Sequence, residues 1–371
     1  MSKPVICATI DLEQITLNTQ AIIAATDKPL MAVVKADAYG HGLVTSAHAA
    51  VNGGATWLGT AFIDEAVKLR DGGITTPILA WLTPPTDDFA RALEFTIDLS
   101  VSSLDQLAAI ISASESTGVI PRIHLKVDTG MTRSGALDEF PTLVSAIGEL
   151  LDENRIELVG TWSHLACADE PEHPLNQNQL VRFRSALDYL ESEGINPGIR
   201  HIANSGAIIN FPELHFDMVR AGLLLYGYIP GGGTSNRISV KPAMELSAEI
   251  ALVKRVPAGS TIGYGATVRL AEDRYIALIP LGYADGIPRR LDDLTSIGCT
   301  IGGKNYPLIG RVSMDQITVD LGRETAVKAG DRALFFGATG GATADDWARA
   351  AGTISYEILS RIGSRVPRVA R

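Results

Sequence analysis

Long hydrophobic runs are missing from this sequence. Polar residues interrupt every apolar stretch well before about 18 residues, which argues against a membrane-spanning helix. The opening MSKPVICATIDLEQ holds only a short apolar segment before Asp11, too short for the core of a signal peptide. Cysteine is scarce as well. Cys7, Cys167 and Cys299 are odd in number and widely spaced, a pattern that supports neither a disulfide framework nor a paired-Cys zinc site. A reducing cytoplasm is the expected compartment. Basic residues are outnumbered, 32 Lys and Arg against 42 Asp and Glu for a net charge of −10, and they form no block. Neither nucleic acid nor an anionic membrane surface is therefore an expected partner. HExxH and GxSxG are also absent, so neither zinc-dependent hydrolysis nor a serine hydrolase is supported, and no metal is expected.

What is present is ample core material. The 371 residues are 46% hydrophobic and 20% charged, enough for two domains or for one large barrel with an appendage. The first 230 or so residues alternate short β-like runs with helical patterns. The strand candidates are 30–34, 57–61, 78–82, 97–101, 123–127, 158–162, 199–203 and 216–219. Amphipathic stretches such as 63–69, 104–111 and 179–190 lie between them, the second opened by Ser102 or Ser103 as N-cap. Eight strands alternating with helices match the count that closes a (β/α)₈ barrel. An open doubly wound sheet competes, but no GxGxxG follows the first strand to support one.

After Tyr228 the texture changes. Pro230-Gly231-Gly232-Gly233-Thr234-Ser235-Asn236 reads as a linker. Beyond it lie β-rich segments at 248–256, 275–280, 300–309, 316–321 and 333–336, and one helical pattern at 345–362. The expected fold is thus α/β: an N-terminal (β/α)₈ TIM-like barrel over residues 1–235, then a mostly-β domain over 236–371.

Barrel enzymes place their chemistry at the C-terminal ends of the strands and often grip phosphate after strands seven and eight. At those ends the sequence sets Lys35, then Lys126 with Asp128 and Arg133, then His164, then Asn204-Ser205-Gly206, then Arg220 and Gly222. Lys35 closes the apolar run Met31-Ala32-Val33-Val34. Burial there lowers an amine's pKa and frees it as a nucleophile toward an aldehyde, unless the residue is a surface lysine just past the strand. Asn204-Ser205-Gly206 before a short helix offers N–H groups and a hydroxyl to a phosphate, with the helix dipole assisting, although it is also an ordinary turn sequence. The pair together suits a phosphorylated aldehyde.

The stretches AVVKADAYGHG, LKVDTGMTRSG, WSHLACADE, ANSGA, VRAGLLLYG, IGYGAT, LGYADGIPRR, IGRVSMDQ and TISYEILSRI run in order along nearly the whole chain. As a set they resemble the alanine racemases, fold-type III enzymes that use pyridoxal 5'-phosphate. The resemblance implies that Lys35 carries the cofactor as a Schiff base and acts as one acid/base group, with Tyr264 as the other. It places Tyr39, Ser205, Gly222, Leu223 and Tyr356 around the cofactor phosphate, His164 beside its ring and Arg220 at the ring nitrogen; Asn204, from the Asn204-Ser205-Gly206 run above, is a further expected cofactor-binding residue. Arg133 and the backbone N–H of Met314 match groups that receive the substrate carboxylate and the cofactor phenolate. Asp169, Tyr283, Arg289, Arg311 and Ile354 match an access channel, and Lys126 a lysine that is often carbamylated and helps position Arg133. It also implies a head-to-tail homodimer in which Tyr264 serves the partner's site, and D-alanine supply for peptidoglycan.

The chemistry suits these roles. Racemisation removes a proton from one face and returns it to the other, so two opposed bases are the simplest arrangement. Arg220 cannot readily give up a proton, which would leave the ring nitrogen unprotonated and the electron sink weaker, restraining side reactions. Two positions depart from the commoner family pattern: Ser313 stands where many members have cysteine, and Thr132 where glycine is commoner. Racemisation of serine, a fold-type III decarboxylase and a non-catalytic cofactor-binding barrel are the competing readings. The last lacks a second domain, and the decarboxylases' Cys-containing motif is not found here.

Overall fold

A computed structural model describes residues 4–232, 235–291 and 297–371. The chain enters through β1 (Ile6–Ile10) and the helix Leu12–Thr26, which Asp11 caps by accepting from Gln14 N at 2.9 Å. There follow β2 (Leu30–Val33), β3 (Trp57–Thr60), β4 (Ile78–Ala80), β5 (Asp98–Val101), β6 (Arg122–Lys126), β7 (Glu157–Trp162), β8 (Ile199–His201) and β9 (Val219–Ala221). These eight pair in parallel in the order β8-β7-β6-β5-β4-β3-β2-β9. Asp217 N donates to Arg200 O and Arg220 N to Ala203 O, both at 3.0 Å, so the two outer strands meet and the sheet closes into the expected barrel. Runs such as LMAV and WLGT are buried at every position because helices cover the outer face and side chains fill the interior. The helices contain the expected amphipathic stretches, as Ile63–Asp71, Leu104–Thr117 and Leu175–Ser192, and Ser103 is the residue that caps the second.

The last barrel strand is displaced from its expected place at 216–219. Phe216 takes φ 47°, and Asp217 turns its carboxylate onto Arg200 N and Nε at 2.8 and 2.7 Å. The chain therefore turns at these residues and pairing begins at Val219.

The second domain comprises β10 (Met244–Glu249), β11 (Leu252–Val256), β12 (Thr261–Ile262), β13 (Val268–Arg269), β14 (Arg274–Ile279), β15 (Gly298–Ile301), β16 (Lys304–Pro307), β17 (Ile317–Gly322), β18 (Arg332–Phe336) and β19 (Arg368–Ala370). One sheet runs β16-β15-β18-β10-β1-β19 and a second β11-β14-β17. β1, which the sequence pattern leaves inside the barrel portion, is thus a central strand of the second domain, antiparallel to β10 and parallel to β19. Several expected runs are divided. The 248–256 stretch breaks into β10 and β11, and 300–309 folds back as a hairpin at Gly302-Gly303, where φ is 57° and 82°. The helical pattern 345–362 splits into Ala344–Ala351 and Ser355–Ser360 because Gly352 ends the first helix with φ 64°. Gly233 and Thr234 of the expected linker lie outside the described residues. No helix among the described residues is long and apolar enough to cross a membrane.

Candidate active site

β2 delivers Lys35 to the barrel mouth, and the turn after it is unusual. Ala36, Asp37, Ala38 and Tyr39 all adopt left-handed backbone with φ between 53° and 55°. For residues with a Cβ this costs roughly 1–2 kcal/mol each. Surrounding contacts hold the turn: Ala36 N donates to Glu65 Oε1 at 2.6 Å, Ala38 N to Val34 O at 2.7 Å, and Leu43 N to Asp37 Oδ1 at 2.8 Å. His41 stacks on Tyr226 at 4.4 Å, and the Tyr226 hydroxyl donates to Val33 O. From the second domain Arg368 Nε donates to Gly40 O at 2.9 Å. Gly40 has φ 81°, and a Cβ there would meet Leu359 O at 2.4 Å. That close approach seats the helix Ser355–Ser360 on the turn and brings the Tyr356 and Tyr39 rings to 5.9 Å.

Below the turn opens a cavity of about 770 Å³. Of the residues expected around the cofactor, Lys35, Tyr39, His164, Asn204, Ser205, Arg220, Gly222, Leu223 and Tyr356 line it, and Met314 does not. Arg133, Lys126, Asp169 and Ile354 line it too. Asn204 caps the helix Ser205–Asn210 by accepting from Ala207 N, and Ser205 Oγ accepts from Gly222 N at 3.1 Å. A Cβ at Gly222 would fall 2.4 Å from the Tyr39 hydroxyl, so any side chain there would push that ring aside.

The electrostatics are one-sided. Four basic side chains, Lys35, Lys126, Arg133 and Arg220, share the cavity with one lining carboxylate, Asp169. Burial lowers the Lys35 pKa, the neighbouring Arg133 lowers it further, and Glu65 partly opposes them. Lys126 is brought down to about 7 by burial and then by Arg220 and Arg133. Its ammonium sits 4.3 Å over the Trp162 ring and donates to Ser134 Oγ. Arg220, 3% exposed, donates to the carbonyls of Ser163, His201 and Ile202 and to His164 Nδ1, and burial pushes its pKa down to about 9. His164 is held well below the usual histidine range by burial and then by Arg220.

The other expected residues lie apart from this cavity. Tyr264, between β12 and β13, is 70% exposed and lines a separate shallow depression with Ser313 and Met314. Arg311 packs beside Gly265, where a Cβ would meet its Nη1 at 3.0 Å. Tyr283 N donates to Ser313 O at 3.0 Å, tying its segment to that of Met314, and Arg289 is exposed. One chain therefore does not bring Lys35 and Tyr264 together. The barrel interior also holds polar residues that sequence reasoning passed over, Asp98 on β5 and His124 on β6. Their signal was legible: a carboxylate and an imidazole inside otherwise short apolar strand runs.

A closed barrel with a basic, lysine-bearing cavity at its C-terminal mouth and a mostly-strand domain seated on it defines a two-domain barrel enzyme. Comparison with known proteins specifies it further. The family model for the alanine racemase N-terminal domain matches residues 10–230 and that for the C-terminal domain residues 243–370. The alanine racemase of Frankia casuarinae is 46% identical over 368 residues, covering 98% of this chain and 95% of that protein. The crystal structure of alanine racemase from D-cycloserine-producing Streptomyces lavendulae has a TM-score of 0.96 at 45% identity, covering 100% of this chain and 98% of that one. That of Corynebacterium glutamicum gives 0.86 at 36% identity with both chains fully covered. The chain belongs to the alanine racemase family.

Proposed function

We propose that this enzyme interconverts L- and D-alanine with pyridoxal 5'-phosphate held on Lys35, supplying D-alanine for peptidoglycan from the cytoplasm. The observation that carries this reading is the convergence of four basic side chains on a cavity with a single lining carboxylate. Such a cavity fits an anionic group, and buried Arg220, with neutral acceptors only among its hydrogen-bond partners given above, fits a ring that offers one more acceptor. Tyr39, Asn204, Ser205, Gly222, Leu223 and Tyr356 would hold the phosphate, with His164 and Arg220 against the ring. When bound, the cofactor would supply an aldehyde for the Lys35 amine to condense with, releasing water, and an electron sink for the charge left when the substrate Cα loses its proton.

The chain's own groups do the rest. Lys35, its pKa lowered by burial, is available as a neutral base on one side. Tyr264 is the opposing base and reaches the site from a second copy, in a head-to-tail homodimer, which accounts for its exposure on the single chain. Arg133 receives the substrate carboxylate, and the Met314 N–H of the second copy the phenolate oxygen. Asp169 and Ile354, with Tyr283, Arg289 and Arg311, form the way in. Lys126 has a free amine near neutrality. Its attack on CO₂ forms an N–C bond and releases a proton, giving a carbamate whose negative charge positions Arg133.

The test is incubation of purified, cofactor-loaded protein with L-alanine in D₂O, followed by chiral chromatography and mass spectrometry. Racemic alanine deuterated at Cα is expected. Loss of CO₂, or alanine recovered unchanged, would overturn the proposal.

A further inference from the structure

Behind Arg220 a chain of polar side chains crosses the barrel interior. Arg220 Nη1 lies 3.3 Å from His201 Nδ1, His201 Nε2 lies 3.0 Å from His124 Nδ1, and His124 Nε2 faces Asp98 Oδ2 at 3.4 Å. Arg122 closes the far end, giving Nε to Asp98 Oδ1 at 2.8 Å and Nη1 to Glu157. His124, His201 and Asp98 are almost fully buried. β6 and β8 are not neighbours, so their histidines can meet only across β7. Gly160 of β7 permits it, because a Cβ there would fall 2.9 Å from His124 Nδ1. Trp162 lies parallel to the His201 ring, Trp57 sets its edge against His124, and the Arg220 guanidinium lies 4.9 Å over Trp162.

Hydrogen accounting gives this chain a direction. A guanidinium only donates, so His201 Nδ1 accepts and its proton sits on Nε2. That proton is given to His124 Nδ1, which leaves the His124 proton on Nε2, on the side of the Asp98 carboxylate, whose Oδ2 lies 3.4 Å away without the geometry of a hydrogen bond. A proton on both nitrogens of either ring would set N–H against N–H at one link. Burial and the adjacent Arg220 also disfavour a charged His201.

We propose that Asp98, His124 and His201 form a positioning relay that fixes the orientation of Arg220 by fixing the tautomers of two buried histidines. Asp98, anchored by Arg122, biases His124 through the nearness of its charge rather than through a hydrogen bond; His124 sets His201; and His201 presents a bare nitrogen and its carbonyl to one arm of the guanidinium. The other arm is held by Ser163 O and Ile202 O. The relay's importance for catalysis rests on the reading that Arg220 faces the cofactor ring. There, a small rotation of the guanidinium would misplace the group that governs the ring nitrogen.

The decisive measurement uses wild-type, cofactor-free protein with ¹⁵N-labelled histidine. Long-range ¹H–¹⁵N spectra are expected to show both His201 and His124 protonated at Nε2 and bare at Nδ1 throughout the neutral range. A His201 proton on Nδ1, or a doubly protonated His124, would overturn the relay, whatever the cofactor does. His124→Phe keeps a ring of similar size and removes the link. It should scramble the His201 tautomer, displace the visible band of the bound cofactor and lower kcat about tenfold or more, with KM within about twofold. His124→Asn, whose amide oxygen can accept the same proton, should restore the tautomer and the band. If His124→Phe only lowers thermal stability and leaves tautomer and band unchanged, the residue is packing and the relay is wrong. If wild-type protein fails to bind the cofactor, the proposed function fails instead, and the histidine spectra still decide the relay.

Discussion

Lys35 and Tyr264 occupy opposite surroundings. The lysine follows a fully buried strand, lines a cavity of about 770 Å³ and is held by a strained turn with contacts on all sides. The tyrosine sits between two two-residue strands and is 70% exposed, with Met314 nearby at 53%. Leu82 and Ile354 at the cavity and Phe62 beside the barrel are exposed large hydrophobics as well. On the proposed two-base reading, a chain that buries Lys35 and leaves Tyr264 in water carries the two halves of a site in separate places, each to be completed by a second copy. Backbone contacts are concentrated on the barrel side, around the turn after Lys35, and on the proposed reading the exposed Tyr264 segment gains its contacts from the second copy.

The sharpest way to break that comparison is to damage each half separately. Lys35→Ala should abolish the borohydride-trapped absorbance and reduce racemisation by at least about 10⁴-fold, and Tyr264→Phe should reduce it by about 10²–10⁴-fold, unequally in the two directions. Subunits of the two inactive variants, mixed and reassociated, should recover about a quarter of wild-type activity, because a mixed twofold dimer contains one undamaged site. Full loss without recovery would place both bases in one chain. A smaller effect is expected from Gly222→Ala. The added methyl displaces Tyr39, and cofactor affinity measured by fluorescence titration should fall about tenfold, or about 1.4 kcal/mol, with the second domain undisturbed.

Lys126 yields the mildest test, read as stability. Burial, then Arg220 and Arg133, lowers its pKa in the folded protein to about 7, while the unfolded chain keeps an ordinary lysine near ~10.4. Between these values the unfolded state binds more protons, so folding stability should rise with pH from about 7 to about 10, and the burial cost is fully present below about 7. Denaturant unfolding of cofactor-free protein in CO₂-free buffers measures the slope, and Lys126→Met should flatten it. An equal slope in both proteins would mean that Lys126 is charged and compensated.

Much of this arrangement is legible in the chain of residues, for local reasons. Barrel strands are short apolar runs ended by turns, and their spacing announces eight of them; the polar residues just past them fall in the cavity. What local pattern could not supply is pairing at a distance. The run Ile6–Ile10 looks like any apolar segment, and its partners lie more than 200 residues away. Nor does the left-handed turn show itself, since Ala36, Asp37, Ala38 and Tyr39 include no glycine and the tertiary contacts overrule their preference. Phe216 misled for a related reason: an aromatic residue in a β-like run that adopts φ 47°. His124 and Asp98 stand out as polar residues in barrel strands, but what they do there depends on β5, β6 and β8 sharing one interior, which no local pattern supplies.

The placement of β1 has a consequence for how the protein is made. It lies between β10 and β19, so a strand that leaves the ribosome before the barrel pairs on both sides with strands made after it. At ~5–20 residues per second, β1 must wait on the order of tens of seconds for β10 to appear, while the barrel has its sequence in full and can close. During that interval five apolar-rich residues hang from a nascent barrel as an unpaired edge, the kind of segment chaperones bind and aggregates recruit. Truncations that remove Ile6–Ile10 should therefore register as failure of the second domain to mature, although the deleted residues precede the whole barrel in the chain.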